Sequence, residues 1–267
     1  MMKIGFIGLG NMGGSLARLV AQDERFRSEL LLANRSRDKA EKIAAELGGQ
    51  PVSNAEVFAL AEVIFLGIKP AQFADLLADY QEILDKRDSL LLVSMAAGLP
   101  LGTLEKLTPS HHRWIRIMPN TPVAVGEGVI SYALSQRAKR ADEDLLRELL
   151  SSAGLLVKLE EKQLDAATAL AGCGPAFVYL FIEALADAGV RAGLSRDISL
   201  ELANQTLLGA AKLSQISGQH PAQLKDQVCS PAGSTIAGVA SLEENAFRGT
   251  VMAAVQAAYQ RTQELGK

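Results

Sequence analysis

Over the first 160 residues the apolar positions fall into short unbroken runs. Each run is followed by a longer stretch in which they recur at helical spacing. The runs Lys3–Ile7, Leu30–Asn34, Val63–Ile68, Ser89–Ser94, Trp114–Met118, Val129–Ala133 and Leu155–Leu159 read as strands. Val63–Ile68 is apolar on both faces, as a central parallel strand must be. The helical stretches between them are the one opening near Asn11 (Leu16, Leu19, Val20), then Arg37–Leu47, Asn54–Leu60 with Asn54 as its cap, Ala71–Leu84, Leu101–Leu107 and Ala141–Ser152. Strand and helix in alternation predict right-handed βαβ units around a parallel sheet. After Lys158 the alternation stops. From Glu161 the pattern is helical throughout, with helices predicted over Gln163–Ala171, Pro175–Ala192, Ser199–Ser217 and Leu242–Glu264. This places a boundary near 160, with residues 1–160 as an α/β domain and 161–267 as an all-α domain. Ala176–Val190 is apolar on all sides and wants burial on every side, more than about a hundred residues supply alone. An oligomer built on these helices is therefore expected.

Composition narrows the classes. A net charge of −3 over 267 residues gives no general attraction to nucleic acid or an anionic membrane. Two cysteines, Cys173 and Cys229, make no disulfide framework and lack metal-ligand spacing, so both read as small buried residues and no metal is expected. The chain is uncharged from Ala166 through Ile182, at the lower edge of a membrane span, but Gly172, Gly174 and Pro175 interrupt it and a buried helix pair is expected instead. The N-terminus has no basic region followed by a long apolar run, and its first apolar segment is a strand leading into a glycine turn, so no signal peptide and a cytoplasmic location are expected.

The candidate chemistry gathers at strand ends. Gly8, Gly10 and Gly13 fit the G-x-G-x-x-G spacing between a strand and a helix, the context of a dinucleotide site. There Gly8 allows the tight turn, Gly10 lets the backbone approach a pyrophosphate, and Gly13 lets the helix pack on the strand. Asn11 and Met12 open the helix whose N–H groups face the phosphates. The second strand ends Asn34-Arg35-Ser36-Arg37, without the carboxylate an NAD ribose wants. The arginines suit a 2′-phosphate, so NADPH is favoured and NADH remains possible. Ser36 also reads as the N-cap of the next helix, and both readings can hold together. Lys69 follows the Val63–Ile68 strand at the edge where α/β sheets bind ligands. The small residues of Met95–Gly98 leave room there for a flat ring, and the Met118–Pro122 loop carries Asn120. His111 and His112 start a strand, away from that edge. In the helical part, Cys229–Thr235 is dense in small residues, hydroxyls and backbone N–H groups. It reads equally as a carboxylate trap at a helix N-terminus and as a plain cap loop with Ser234 or Thr235 as cap.

Several of these stretches, in this order, resemble the pyrroline-5-carboxylate reductases. The residues that carry it are Ile4–Met12, Gly67–Pro70, Met95–Gly98, Arg116–Pro122, Leu170–Ala176, Glu183–Val190, Gln205-Thr206, Gly209–Lys212 and Val228–Ile236, with Phe247-Arg248, Ala253–Val255 and Arg261. The resemblance implies a Rossmann-type N-terminal domain followed by an all-α C-terminal dimerisation domain, in a homodimer or larger homo-oligomer. It implies hydride transfer from NAD(P)H to the C=N carbon of a cyclic imine, giving proline. It implies Thr235 beside the substrate nitrogen, with Val228, Gly233 and Ser234 in the loop holding the carboxylate. On the cofactor side it implies Lys69, Ala97 and Asn120. The chain departs from the family pattern at Ala171 and Cys173, usually serines, and at Ala232, usually glycine. A Cβ at Ala232 is a strain if that position needs positive φ. A β-hydroxyacid dehydrogenase shares the glycine turn, but the lysine those enzymes carry on the long helix is missing from Gly174–Ala188. A non-catalytic member of the reductase family is the remaining alternative.

Overall fold

The structure is a computed structural model that describes residues 2–265. Its strands and helices in chain order are β1 (Ile4–Ile7), α1 (Asn11–Val20), α2 (Glu24–Arg27), β2 (Leu30–Ala33), α3 (Arg37–Leu47), β3 (Gln50–Pro51), α4 (Asn54–Leu60), β4 (Val63–Leu66), α5 (Phe73–Asp79), α6 (Gln81–Lys86), β5 (Leu91–Ser94), α7 (Leu101–Leu104), β6 (Arg113–Pro119), β7 (Gly128–Leu134), α8 (Arg140–Leu149) and β8 (Gly154–Lys158). The helical part then runs α9 (Leu164–Ala167), a π-helical turn at Thr168–Gly172, α10 (Gly174–Arg191), α11 (Arg196–Ser217), α12 (Pro221–Gln227), α13 (Ser234–Glu244) and α14 (Phe247–Leu265).

The strands form one sheet in the order β3-β2-β1-β4-β5-β6-β7-β8. Every pairing is parallel except β6 with β7. The order reverses between β1 and β4, the switch point of a doubly wound sheet. Alternate strand residues feed two cores. Ile4, Phe6, Leu32, Phe65 and Ile117 pack with Leu16 and Val20 of α1, Ile43 of α3 and Leu146 of α8. Leu31, Ile64, Leu92 and Trp114 pack on the other face with Phe58, Phe73, Leu84, Leu101 and Leu164. Phe6 and Phe65, paired in register, stack at 4.7 Å.

Several boundaries differ from the expectations. Ser53, not Asn54, caps α4, in a reciprocal capping box with Glu56. The expected Ala71–Leu84 helix breaks at Tyr80, whose ring packs on Phe58 at 5.3 Å. The helix expected from Ser199 begins at Arg196, with Ser195 accepting from the Ile198 N–H. The expected Leu242–Glu264 helix is two helices, broken at Ala246 with φ +54. The run Glu161–Arg191 is long and apolar enough to cross a membrane by length and composition, but it is not one regular α-helix: a π-helical turn at Thr168–Gly172 and then Cys173 separate α9 from α10. Nor is it a buried pair in the single chain, since Ala186 is the buried residue of α10 while Tyr179 and Leu180 are 60% and 65% exposed. The sheet ends at Lys158, whereas the compact units part between Cys173 and Gly174, with the chain from Ala258 grouped with the first. In the second unit α10 packs on α11, and Phe181 meets Phe247 at 5.7 Å.

His112 shows why the first unit should be acid-sensitive. It is buried, its Nδ1 accepts from the Leu90 N–H at 3.1 Å, and its Nε2 lies 3.1 Å from the Leu84 carbonyl, to which it donates. Burial, then the neighbouring His111, Arg87 and Arg113, lower its pKa to about 4. In the unfolded chain the same group takes a proton near pH 6.5. Stability is therefore complete above pH 6.5 and falls as pH drops toward 4, by on the order of 2–3 kcal/mol at pH 4.5. Urea unfolding at pH 7 and pH 4.5 measures this, and His112→Gln should flatten the slope by that amount. An equal slope in the variant would remove His112 from the acid response.

Candidate active site

A cleft of about 620 Å³ opens at the C-terminal ends of β1, β2 and β4, over the switch point. Gly8, with φ +91, turns the chain out of β1. A Cβ on Gly13 would meet the Gly8 carbonyl oxygen at 2.1 Å, so only glycine lets α1 approach the turn this closely. A Cβ on Gly10 would meet nothing within 4 Å, because Gly10 faces the open cleft. Gly10 is also the N-cap of α1, with no side-chain cap and no acidic residue in the first turn. The positive end of α1 is thus free for an anion. Asn11 is exposed at the head of the helix, and Met12 packs against the core.

One end of the cleft is built from the β2 terminus. Asn34 accepts from the Leu9 N–H through Oδ1 at 3.0 Å and donates through Nδ2 to the Ser36 carbonyl at 3.2 Å. Its side chain therefore ties the glycine turn to the β2 loop. Ser36 is the N-cap of α3 by position, yet its hydroxyl makes no capping bond and lines the cleft beside Arg35. Arg37 pairs along α3 with Glu41 at 2.9 Å. Lys69, exposed after β4, lines the cleft too. Asn54, Gln72, Asp75, Leu76 and Asp79 also line the cleft. Sequence reading missed these five, because on α4 and around α5 they look like ordinary polar and apolar helix positions.

Past the switch point, Ala97 lies half-buried in the turn after β5, where Gly98 has φ +73. Asn120 follows β6 and is buried. Its Oδ1 accepts from the Val129 N–H at 2.8 Å and its Nδ2 donates to the Ala171 carbonyl at 3.0 Å.

The second candidate cluster lies between α12 and α13. Gly233 N–H donates to the Ser230 carbonyl at 3.0 Å, closing a turn with Pro231 and Ala232 at its centre. Ala232 has φ +54, the conformation that a type II turn gives to glycine at this position. A Cβ on Gly233 would meet the Ser230 Oγ at 2.2 Å. Gly233 is the N-cap of α13, so neither Ser234 nor Thr235 is the cap, and no side chain caps the helix. Val228, Ser234 and Thr235 are all exposed around this N-terminus. Ala232→Gly should raise stability by about 0.5–1 kcal/mol, the left-handed strain exceeding the extra unfolded freedom of glycine. A lower urea midpoint in that variant would show that the methyl stabilises the loop.

Comparison with known proteins agrees with both halves. Residues 161–265 match the family described as pyrroline-5-carboxylate reductase dimerisation, and residues 3–98 match the NADP oxidoreductase, coenzyme F420-dependent, family. The pyrroline-5-carboxylate reductase of Pisum sativum is 44% identical over 98% of this chain and 95% of its own length. That of Synechocystis is 40% identical over 100% and 99%. Among solved structures, Plasmodium falciparum pyrroline carboxylate reductase with NADP bound superposes with a TM-score of 0.87 at 36% identity, covering 100% of this chain and 98% of that one. The Coxiella burnetii reductase gives 0.91 at 30%, covering 100% and 99%. Matched along its whole length by these relatives, the chain belongs to the pyrroline-5-carboxylate reductase family.

Proposed function

We propose that this protein reduces 1-pyrroline-5-carboxylate to L-proline, the final step of proline synthesis, with NADPH as donor. The observation that carries the reading is the uncapped α13 N-terminus, whose loop of small residues leaves backbone N–H groups and the Thr235 hydroxyl exposed together. NADPH, when bound, supplies the hydride. The residues present fit it: the space above Gly10 and the uncapped α1 N-terminus suit a pyrophosphate. Arg35 and the Ser36 hydroxyl suit a 2′-phosphate, and Lys69 lines the same cleft. By the family resemblance, Ala97 and the loop at Asn120 would border the nicotinamide.

On the substrate side, the backbone around Val228, Gly233 and Ser234 holds the carboxylate. The Thr235 hydroxyl lies beside the imine nitrogen: it donates to the neutral imine, and once the nitrogen is protonated its oxygen accepts from the iminium N–H. An iminium is already electrophilic, so positioning is the main demand on the protein. The reaction needs no metal under this reading. The large apolar side chains exposed on α10 and α11, among them Tyr179, Leu180 and Leu208, are covered by a second copy in a homodimer or larger homo-oligomer, in line with the dimerisation match. Nucleic acid and membrane have no part in this reading. Cys173 and Cys229 are free thiols, which suits a cytoplasmic setting.

NADPH oxidation by the purified protein, with and without pyrroline-5-carboxylate and then with NADH, tests the proposal. Imine-dependent oxidation faster with NADPH is the expected result. A preference for NADH would overturn the assignment of Arg35 and Ser36. Tight NADPH binding without imine-dependent oxidation would point to a non-catalytic relative. The absence of lysine from Gly174–Ala188 speaks against a β-hydroxyacid dehydrogenase.

A further inference from the structure

We propose that Asn120 is a positioning residue that acts through the π-helical turn at Thr168–Gly172, and is not a direct ligand of the cofactor. The inference rests on the reductase reading above. Its physical origin is Pro175. In a regular α-helix the Ala171 carbonyl accepts from the N–H four residues on, and that residue is a proline with no N–H to give. The run adjusts by widening: Cys173 N–H reaches back five residues to the Thr168 carbonyl at 2.9 Å. The Asn120 Nδ2 then supplies the donor that Pro175 lacks, at 3.0 Å from the Ala171 oxygen. At its other end the same carboxamide accepts from Val129 at 2.8 Å, and Asn120 is 7% exposed. Both ends of the amide are engaged within the chain.

The clamp has two upstream companions. The Leu101 N–H donates to Glu161 at 2.5 Å, and buried Arg116 of β6 reaches Glu161 and Asp165 at 3.5 and 3.4 Å. Arg116 and Asn120 share one face of the strand direction, four residues apart. The segment from Glu161 to Cys173 is thus tied to the sheet at both ends, and the last tie sits at the C-terminal end of β6. The pyrophosphate and ribose groups are placed over β1 and β2, so cofactor affinity is set elsewhere. Loosening the tie moves the wall at the nicotinamide end, where a misplacement of about 1 Å costs on the order of a hundredfold in rate.

Asn120→Asp keeps the acceptor for Val129 and removes the donor to Ala171. We expect kcat with the imine to fall at least tenfold, NADPH Kd to stay within twofold, and amide exchange over residues 168–173 to quicken. Adding Pro175→Ala, which gives the Ala171 carbonyl a helix donor, should recover part of the lost kcat and slow the exchange again. If Asn120→Asp melts below the assay temperature, Pro175→Ala alone is compared with the parent; slower exchange at 168–173 supports the clamp and unchanged exchange overturns it. A tenfold rise in NADPH Kd with unchanged kcat would make Asn120 a cofactor ligand and overturn the proposal. So would effects of the two substitutions that simply multiply. Exchange and cofactor affinity need no imine, so the clamp remains testable should the imine prove to be the wrong substrate.

Discussion

Gly10→Ala should lose NADPH and keep its fold, while Gly13→Ala should lose both. The two positions are three residues apart in one turn, and they differ in what a methyl group would meet. At Gly13 the Cβ would lie 2.1 Å from the Gly8 carbonyl oxygen. That oxygen is backbone, in a turn pinned by the Gly8 N–H to the Ala33 carbonyl at 2.9 Å and by the Gly67 N–H to the Ile7 carbonyl at 2.8 Å. The whole of α1 must move away, dragging Leu16 and Val20 from the core, at a cost of about 3 kcal/mol or more. At Gly10 the methyl enters open space. Alanine for glycine at an N-cap costs about 1 kcal/mol at most. The methyl then occupies the place proposed for the pyrophosphate, and NADPH affinity should fall at least a hundredfold, about 2.7 kcal/mol. Urea unfolding with NADPH titration of each variant separates the effects. Parental affinity in a folded Gly10→Ala chain would move the phosphates elsewhere.

The same contrast explains which features were legible in the sequence. The glycine turn was readable because Gly8 and Gly13 answer local backbone demands between neighbours in one βαβ unit. The central strands were readable because both faces are apolar. β3 was not: Gln50-Pro51 is exposed and carries no apolar signal. The break at Ala246 has neither glycine nor proline to mark it, and Ala246 sits there at φ +54 beside an Arg248–Glu243 pair at 2.7 Å. Pro175 was readable as a helix start, since the first turn tolerates proline. The π-helical turn before it was not, because the compensating donor comes from Asn120, 51 residues away. Asn34 and Asn120 share this limit. Side-chain amides suit a ligand and suit a distant carbonyl equally well, and only the folded chain shows that both are engaged internally.

Thr235→Ala should lower kcat with pyrroline-5-carboxylate on the order of a hundredfold while NADPH Kd stays within twofold. The hydroxyl is free for this work. Thr235 is the second residue of α13, the cap position belongs to Gly233, and no side chain caps the helix. Removing the hydroxyl therefore takes away no folding contact, and stability should hold within about 0.5 kcal/mol. The carboxylate keeps its backbone donors, so KM should change less than kcat. The imine nitrogen loses the one side-chain donor assigned to it, and a positioned donor of this kind contributes roughly 10²–10⁴ in rate. Thr235→Ser keeps the hydroxyl and should stay within a few-fold of the parent, whereas Thr235→Val keeps the shape and should behave as the alanine does. That pattern distinguishes hydrogen bonding from packing, because valine matches threonine in volume but donates nothing. Equal kinetics in Thr235→Ala and the parent would remove Thr235 from the mechanism. The burden would then fall on the N–H groups at the head of α13, with the proton taken from water.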